Sequence, residues 1–264
     1  MYMRIVIKVG TSTLAHTGGR LNIRRVELLC KVLSDIQNAG HQVILVSSGA
    51  IGMGVGKLGL PGRPSDMPGK QAAAAVGQCE LMYTYDKLFS EYNHVVAQIL
   101  LTADDIRDAR RSSHVQNTLE RLLEFKALPI INENDAVAID EIGIHTTIGE
   151  NDSLSAIVAR LVKADLLVLL SDIDGLYTAD PRQDPNAVLI TQVDAITPEI
   201  LALAGGAGSA LGSGGMATKL RAAQIAMDAG IDMVITNGEH PEILYDLFEG
   251  KSVGTRFVGS GVTV

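Results

Sequence analysis

Short apolar runs alternate along the chain with longer stretches of helical periodicity. The runs are rich in Val, Ile and Leu, and turn-forming or polar residues bound them. Each run predicts a strand, and the predicted strands are Ile5-Val9, Val43-Val46, Val95-Leu100, Leu128-Ile131, Leu166-Leu170 and Met233-Thr236. Because alternating strands and helices are typical of βαβ units, the pattern predicts an α/β fold with a parallel sheet.

Three of the predicted helices have recognisable ends. Asn22 can cap a helix that runs through Gln37 and stops at Ala39-Gly40. Asn151 can cap a second helix, whose apolar residues recur at helical spacing and form a single face. A third helix begins near Met216 and ends at Gly230.

The region between the fourth strand and the Asn151 helix has a different pattern. Residues 136–148 alternate weakly between apolar and polar, and we interpret them as a β-hairpin that projects from the sheet. The chain shows no internal repeat, low-complexity tract or Pro-rich linker. We therefore predict one continuous domain of two lobes.

Composition narrows both the fold and the classes of partner. Of the 264 residues, 47% are hydrophobic but only 4% are aromatic, and there is no Trp. The core must be built mainly from Val, Ile, Leu and Ala, which favours parallel strands covered by helices. The net charge of −8 argues against nucleic acid or an anionic membrane as the main partner, since either would require a basic surface.

Other features indicate the compartment. The N-terminus leads directly into a strand-like run without the pattern of a signal peptide, and the apolar runs are too short to span a bilayer. Cys30 and Cys79 lie in helical patterns, far from a CxxC spacing, and we interpret both as reduced, buried thiols. We expect a soluble, cytoplasmic protein.

Glycine-rich connections give the first indication of a phosphate site. They lie at residues 8–12, 47–52 and 205–215. Gly lets backbone N–H groups approach an anion closely, and a following helix N-terminus adds favourable dipole charge. There is no Walker A loop, because neither Gly56-Lys57 nor Gly69-Lys70 has the required Gly before it and Ser or Thr after it.

The stretch Gly54-Val55-Gly56-Lys57-Leu58-Gly59 matches the GxGxxG pattern of dinucleotide-binding proteins. It begins well after the preceding strand ends, and no acidic residue closes a following strand as that function requires. We therefore interpret it as a flexible glycine loop.

Lys8 and Lys219 stand out by their positions. Lys8 lies near the carboxyl end of the first strand, where ligands of open α/β sheets bind, and Lys219 lies at the start of the third helix. Either lysine alone is more simply explained as a solvated surface charge. A cation among apolar strand residues, and another where the helix dipole disfavours it, together indicate a divided anion site.

Acidic and amide residues follow one strand and open one helix. Asn132-Glu133-Asn134-Asp135 comes after the fourth strand, and Glu150-Asn151-Asp152 begins the second helix. Asn and Asp are common at turns and N-caps, so Asn151 is explained about equally well as a cap and as a site residue. The residues alone leave that choice open.

Six stretches taken together resemble the glutamate 5-kinases, a group within the amino-acid kinase family. In chain order they are Lys8-Val9-Gly10-Thr11-Ser12, Ser47-Ser48-Gly49-Ala50-Ile51, residues 131–137, residues 151–156, Ser171-Asp172 with residues 175–182, and residues 212–219. They occur in family order and cover nearly the whole chain. Each stretch is modest on its own, but six in register are highly specific.

The resemblance implies a three-layer αβα sandwich with a mostly parallel central sheet. Its N-terminal lobe, about residues 1–164, would bind the acceptor, and its C-terminal lobe, about residues 165–264, would bind ATP. Lys8 and Lys219 would grip the transferring phosphoryl group, and Asp172 would orient them. The acceptor L-glutamate would be held by Ser48, Gly49, Ala50, Asn134, Asp135, Asn151 and Asp152. ATP would be held by Lys8, Gly10, Ser171, Asp172, Ser213, Gly214, Gly215, Met216, Ala217, Thr218 and Lys219.

The implied reaction transfers the γ-phosphoryl group of ATP to the γ-carboxylate of glutamate, the first step of proline biosynthesis. A carboxylate is already a nucleophile at neutral pH, so the barrier lies in bringing it against a polyphosphate of the same charge. Lysines, Gly N–H groups and Mg²⁺ overcome that barrier by positioning and charge stabilisation. We expect Mg²⁺ mainly on nucleotide phosphates and water, without a protein metal cage. For the substrate ammonium, the residues leave Asp135 and Asp152 open.

Two features depart from the family pattern. Many members carry a further C-terminal domain of the RNA-binding PUA type, whereas this sequence ends at Val264, so the chain is either naturally short or shortened. The loop at residues 142–150 is longer than usual and has Glu150 where Asp is common, which leaves feedback inhibition by proline open. From the resemblance we also expect a homo-oligomer.

Two other functions stay open at this point. Another kinase of the family, acting on acetylglutamate, aspartate, UMP or a small phosphate, would share the lysines and glycines and differ at Asn134-Asp135 and Asn151-Asp152. A non-catalytic nucleotide- or oxyanion-binding protein on the same fold is disfavoured, because binding alone would not require Lys8, Lys219 and Asp172 together.

Overall fold

A computed structural model describes residues 2–16, 20–137, 151–204 and 215–260. Strands in these ranges form one sheet: β1 (Arg4–Val9), β2 (Gln42–Ser47), β3 (Val96–Leu101), β4 (Leu128–Glu133), β5 (Leu166–Ser171), β6 (Gln192–Val193), β7 (Asp232–Asn237) and β8 (Thr255–Phe257). Their order across the sheet is β3-β4-β2-β1-β5-β7-β8-β6.

The sheet is mostly parallel. Strands β1 to β5 and β7 pair in parallel, while β8 is antiparallel to β7 and β6 is parallel to β8. All the strands predicted from sequence are present, with ends that differ by at most two residues. Strands β6 and β8 were not predicted, because they are too short to produce an apolar pattern.

Helices cover both faces of this sheet. They are α1 (Thr11–Leu14), α2 (Ile23–Asn38), α3 (Ala50–Leu58), α4 (Met67–Ser90), α5 (Ala103–Arg107), α6 (Ala109–Glu124), α7 (Asn151–Leu161), α8 (Pro198–Ala202), α9 (Met216–Asp228) and α10 (Ile243–Phe248). One core cluster joins the sheet to α2 and α4, and the other joins it to α6, α7 and α9. The predicted three-layer αβα sandwich is confirmed.

The alternation of β1 side chains decides where Lys8 lies. Ile5, Ile7 and Val9 pack in the α2 and α4 layer, whereas Val6 packs in the α7 and α9 layer. Successive strand residues point to opposite faces, so Lys8 shares the face of Val6. The first strand therefore directs this lysine towards α7 and α9.

The predicted ends of α2 and α9 are also confirmed. The Asn22 side chain accepts a hydrogen bond from the Arg25 backbone N–H at 3.2 Å, which caps α2. Beyond the carboxyl ends of α2 and α9, Gly40 and Gly230 have φ of +101° and +72°. Glycine adopts this left-handed conformation without the steric cost other residues bear, so the two helices end where the sequence predicts.

The interpretation of Gly54-Gly59 as a flexible loop is wrong. Residues 50–58 form α3, and Gly59 is its left-handed C-cap. A Cβ on Gly54 would lie 1.8 Å from the Ala73 carbonyl oxygen, and one on Gly77 would lie 1.7 Å from the Ala50 carbonyl oxygen. The glycines are therefore required for the backbones of α3 and α4 to touch.

The helices contain both cysteines and can be checked for a segment that could cross a membrane. Cys30 is buried in α2 as predicted, but the prediction of a buried Cys79 is wrong, because this residue of α4 is exposed. Both thiols are free. Within the described ranges, no helix combines the length and apolarity needed to cross a membrane.

The predicted β-hairpin lies mostly outside the described residues. Ala136 and Val137 are in a turn after β4, and residues 138–148 fall in the gap before α7. Ser213 and Gly214, both predicted ATP-binding residues, likewise lie outside the described residues, as does Glu150.

Candidate active site

The carboxyl ends of four neighbouring parallel strands bring the predicted site residues to one edge of the sheet. Lys8 precedes the end of β1, Ser48 follows β2, Asn134 follows β4 and Asp172 follows β5. Ligands of open parallel sheets bind at this edge. Helices α7 and α9 begin beside it and contribute the remaining charged groups.

Asp152 bridges the two predicted lysines. Lys8 Nζ lies 2.6 Å from Asp152 Oδ1, and Lys219 Nζ lies 3.4 Å from Asp152 Oδ2. The side chains of Lys8, Lys219 and Asp152 are only 11%, 8% and 2% exposed. Two cations thus face one carboxylate in a largely buried position, and these three side chains together carry a net positive charge.

The charge of Asp152 is set by opposing effects. Burial alone raises the pKa of this carboxyl, but the charges of Lys8 and Lys219 and hydrogen bonds from Lys8 and Thr218 outweigh burial. The pKa of Asp152 falls from 3.8 to about 2. Asp152 is therefore ionised throughout the neutral range and holds both ammonium groups in place.

The local sequence explains how this cluster forms. Asp152 lies in the first turn of α7, where the helix dipole favours an anion. Thr218, in the first turn of α9, donates to Asp152 Oδ2 at 2.8 Å, and Lys219 follows it. The dipole disfavours a cation there, so the Asp152 carboxylate is what makes the buried position of Lys219 tolerable.

Two glycines precede helices at this edge of the sheet, Gly10 before α1 and Gly49 before α3. A Cβ on Gly10 would lie 3.5 Å from Lys8 Nζ, so the ammonium group folds close over this backbone. Gly49 has φ of +105° and is the N-cap of α3, whose first turn contains no acidic residue. These backbone groups and the lysines form a surface suited to phosphoryl oxygens.

The Asn151 side chain does not act as the helix cap that was predicted as one alternative. It is the first residue of α7, and its Nδ2 donates to Ser48 Oγ at 2.7 Å and to Asn132 Oδ1 at 3.0 Å. Its Oδ1 accepts no hydrogen bond from the described residues, so it satisfies no helix N–H group there. Its contacts are instead with β2, β4 and the residue after β2, and its role as a site residue stays a prediction.

The hydrogen bonds continue from Asn132 to a residue that the sequence did not indicate. Asn132 Nδ2 donates to Gln78 Oε1 at 2.9 Å, and both side chains are buried. Gln78 shares a face of α4 with the buried Ala74 and Leu81. A polar residue on the apolar face of a helix was the available signal for it.

A cleft of about 360 Å³ lies beside this chain of amides. The predicted acceptor residues Ala50, Asn134 and Asp135 line it, together with Gln78 and Cys79 of α4. Ser48, Asn151 and Asp152 lie instead in the polar chain and the lysine cluster. The residues predicted for glutamate therefore form two adjoining groups.

On the nucleotide side, Ser171 is buried at the end of β5 and its Oγ donates to Asp172 Oδ1 at 3.2 Å. Asp172 is exposed and forms no salt bridge with either lysine in the described part of the chain. In the described residues it is Asp152 of α7, and not Asp172, that contacts both lysines, so the orienting role of Asp172 stays a prediction without a contact to support it. Gly215, Met216, Ala217 and Thr218 form the N-cap and first turn of α9.

Comparison with known proteins identifies the family of the chain. The amino acid kinase family matches residues 3–237. A protein of Clostridium perfringens named glutamate 5-kinase is 56% identical over 97% of this chain and 95% of its own length. A glutamate 5-kinase of Listeria innocua is 55% identical over 96% of this chain and 92% of its own length.

Solved structures share the fold at lower identity. An isopentenyl phosphate kinase of T. acidophilum, solved as a product complex, has a TM-score of 0.66 and 21% identity over 96% of this chain and 99% of its own. A carbamate kinase of Giardia lamblia, bound to AMP-PNP, has a TM-score of 0.68 and 18% identity over 97% and 98%. With the family match over most of its length, this chain belongs to the amino acid kinase family.

Proposed function

We propose that the protein transfers the γ-phosphoryl group of ATP to the side-chain carboxylate of L-glutamate, giving γ-glutamyl phosphate and ADP, the first step of proline biosynthesis. The Lys8–Asp152–Lys219 cluster is the observation that carries this proposal. Two buried ammonium groups held side by side suit a transferring phosphoryl group. The relatives more than half identical to this chain, named glutamate 5-kinases, support glutamate as the acceptor.

The proposed mechanism needs no general base. The glutamate carboxylate is ionised at neutral pH, and the site must hold it in line with a polyphosphate of the same charge. Lys8 and Lys219 offset that repulsion and stabilise charge on the phosphoryl oxygens, while Asp152 keeps their Nζ atoms apart and oriented. Positioning and charge are thus the whole contribution of these residues.

Its place on the cleft wall favours Asp135 for the substrate ammonium, whereas Asp152 lies in the lysine cluster. Asp152 Oδ1 faces Lys8, and Oδ2 faces Lys219 and Thr218, so both oxygens are engaged. Asp135 lines the cleft. An acceptor seated there presents its ammonium group to Asp135 and its side-chain carboxylate to the lysines.

ATP would lie along the ends of β5 and α9, with its γ-phosphoryl group at the two lysines. Within the residues that the structure describes, no three His, Cys, Asp or Glu side chains come together as a metal cluster. Mg²⁺ held mainly by nucleotide phosphates and water fits such a site, where it would neutralise charge on those phosphates.

The test is ADP release and trapping of the acyl phosphate as hydroxamate. Mg-ATP is supplied with L-glutamate, acetylglutamate, aspartate or UMP in the presence of hydroxylamine. We expect hydroxamate with glutamate alone, and a loss of roughly 10³-fold or more in kcat for Lys8→Ala and Lys219→Ala. Lys251→Ala, which removes an exposed lysine paired with Asp246, serves as the matched control and should keep full activity.

Other outcomes would identify the competing functions. Turnover with a different acceptor would reject glutamate and keep the mechanism, and nucleotide binding without any turnover would reject catalysis. Inhibition by proline, homo-oligomeric assembly and cytoplasmic location remain predictions that accompany this proposal. Adding proline to the same assay and measuring the mass of the assembly in solution test the first two.

A further inference from the structure

Gln78 has a buried hydrogen-bond donor that meets no acceptor in the part of the chain that the structure describes. The residue is 9% exposed, lies in the middle of α4 and forms part of the cleft wall. Its Oε1 accepts from Asn132, but its Nε2 finds no hydrogen-bond partner among the described residues. A buried donor without a partner is costly, so a native site that keeps one has a reason for it.

The neighbouring hydrogen bonds fix which end of the Gln78 amide is free. Asn151 Nδ2 lies 3.3 Å from the Ser47 carbonyl oxygen, which can only accept, so this end of Asn151 is the donor. The same group therefore donates to Asn132 Oδ1, and Asn132 in turn donates through Nδ2. Gln78 must present its oxygen to Asn132, which leaves its two Nε2 hydrogens for another acceptor.

The position of Gln78 indicates which part of an acceptor it meets. In the proposed reaction, the reacting carboxylate lies at Lys8 and Lys219. Asn151 is next to this cluster, because it immediately precedes Asp152 in the chain. Gln78 is two hydrogen-bonded amides further away, on the wall of the cleft that Asn134 and Asp135 also line. The far end of a short dicarboxylate amino acid lies there, with its ammonium and its second carboxylate.

We propose that Gln78 Nε2 donates a hydrogen bond to the α-carboxylate of the acceptor and so determines acceptor specificity. This inference rests on the proposed function, since it names the residue that recognises the end of glutamate remote from phosphoryl transfer. In this arrangement Asp135 binds the ammonium group of the acceptor, and Gln78 binds its α-carboxylate. The fixed amide chain through Asn132 keeps the donor oriented before the substrate arrives.

Two substitutions separate the donor from the packing. Gln78→Glu keeps the shape and an oxygen for Asn132 but replaces the donor with a negative charge. Gln78→Met keeps most of the volume and removes both polar atoms. We expect the KM for glutamate to rise roughly 10- to 100-fold, which is the cost of one hydrogen bond to a charged group. The KM for ATP and kcat should change less than about threefold, since uniform binding of the acceptor is what is lost.

Gln37→Met provides the matched control. Gln37 lies on α2, and its Nε2 donates to the Lys126 carbonyl oxygen, away from the cleft. This variant should leave both KM values unchanged. Melting temperatures of all variants measure the effect of each substitution on folding.

Substrate analogues identify the group that Gln78 contacts. Glutarate keeps both carboxylates and lacks the ammonium, whereas 4-aminobutanoate keeps the ammonium and lacks the α-carboxylate. Their inhibition constants against glutamate are compared between the wild type and Gln78→Met. Glutarate should weaken by the same factor as glutamate, and 4-aminobutanoate should not weaken.

Several results would overturn the proposal. An unchanged KM for glutamate in both variants would leave Gln78 as a support for Asn132, and equal losses for glutamate, ATP and kcat would show a structural role. Weaker 4-aminobutanoate binding would contradict the assignment to the α-carboxylate. If the wild type forms no hydroxamate with glutamate, the proposed function fails instead, and calorimetric binding of glutamate to wild type and Gln78→Glu still tests the donor.

Discussion

At the residue scale, the site depends on one buried carboxylate between two buried cations. Asp152 is 2% exposed, so Lys8 and Lys219 are held in a place where an uncompensated charge would be expensive. This cluster of three charges is not primarily a source of stability. The free energy needed to take the three charged groups out of water offsets much of the attraction between them. In the proposed mechanism, this carboxylate fixes the two ammonium groups for an anionic ligand.

Removing the Asp152 charge should destabilise the fold strongly. Asp152→Asn keeps the shape but leaves two buried lysines facing a neutral amide, and we expect the free energy of unfolding to fall by about 3 kcal/mol. Urea denaturation at neutral pH measures this. Asp246→Asn breaks an exposed pair with Lys251 and should cost less than about 1 kcal/mol. Equal losses in the two variants would contradict the buried-charge interpretation.

The same carboxylate predicts a specific pH dependence. The pKa of Asp152 is lowered from 3.8 to about 2 in the folded protein, so its stabilising contribution is fully present above about pH 4. That contribution is lost as the pH falls through about 2. The difference in free energy of unfolding between wild type and Asp152→Asn should therefore be constant near neutral pH and shrink between about pH 4 and pH 2. A difference that stays constant in that interval would contradict the lowered pKa.

At the element scale, the close contact of α3 and α4 positions the cleft. Gly54 lies against the Ala73 carbonyl, and Gly77 lies against the Ala50 carbonyl, so each helix supplies a glycine for the backbone of the other. Gln78 follows Gly77, and Ala50 follows the Gly49 cap. The same contact thus sets the spacing between the donor on α4 and the backbone N–H groups that open α3.

A methyl group at this contact should separate the helices. Gly77→Ala would place Cβ 1.7 Å from the Ala50 carbonyl oxygen, which no side-chain rotation can relieve. We expect a loss of about 1–3 kcal/mol in the free energy of unfolding and a higher KM for glutamate. Gly62→Ala, where nothing lies within 4 Å of the added Cβ, is the matched control and should leave both unchanged. A Gly77→Ala protein that matched this control would show that the helices are not held in backbone contact.

At the scale of the whole molecule, the two proposed lobes share one sheet and meet where β1 pairs with β5. The lysine cluster also crosses this boundary, because Lys8 and Asp152 belong to the first lobe and Lys219 to the second. A phosphoryl group held there touches both lobes at once. The division into an acceptor lobe and a nucleotide lobe remains a prediction.

Hydrogen exchange in the presence of each ligand tests that division. Glutamate alone should slow amide exchange at Ala50–Leu58 and around Asn134, which border the cleft. The non-hydrolysed analogue AMP-PNP with Mg²⁺ should slow exchange at the end of β5 and the start of α9. Slowing of the same segments by either ligand alone would contradict separate lobes.

The sequence by itself determined the strands, the layers and the chemical character of the site. Apolar runs such as Leu166-Leu170 specify buried strands from their own residues, and glycines such as Gly40 mark helix ends through local backbone preference. Lys8 and Asp135 could be placed at strand ends for the same reason. Such features depend on residues within a few positions of each other in the chain. They can therefore be predicted without knowledge of the fold.

Only the tertiary structure decided which of these groups meet. The sequence left Asn151 between a cap and a site residue, the resemblance implied that Asp172 orients the lysines, and Gln78 was not singled out although it lies on the apolar face of a helix. The contacts of Asp152 with Lys8 and Lys219 join segments far apart in the chain, and the Gly54 and Gly77 contact joins two helices. Partners of this kind are set by strand order and helix packing, because sheet pairing and crossover connections bring distant segments to one edge.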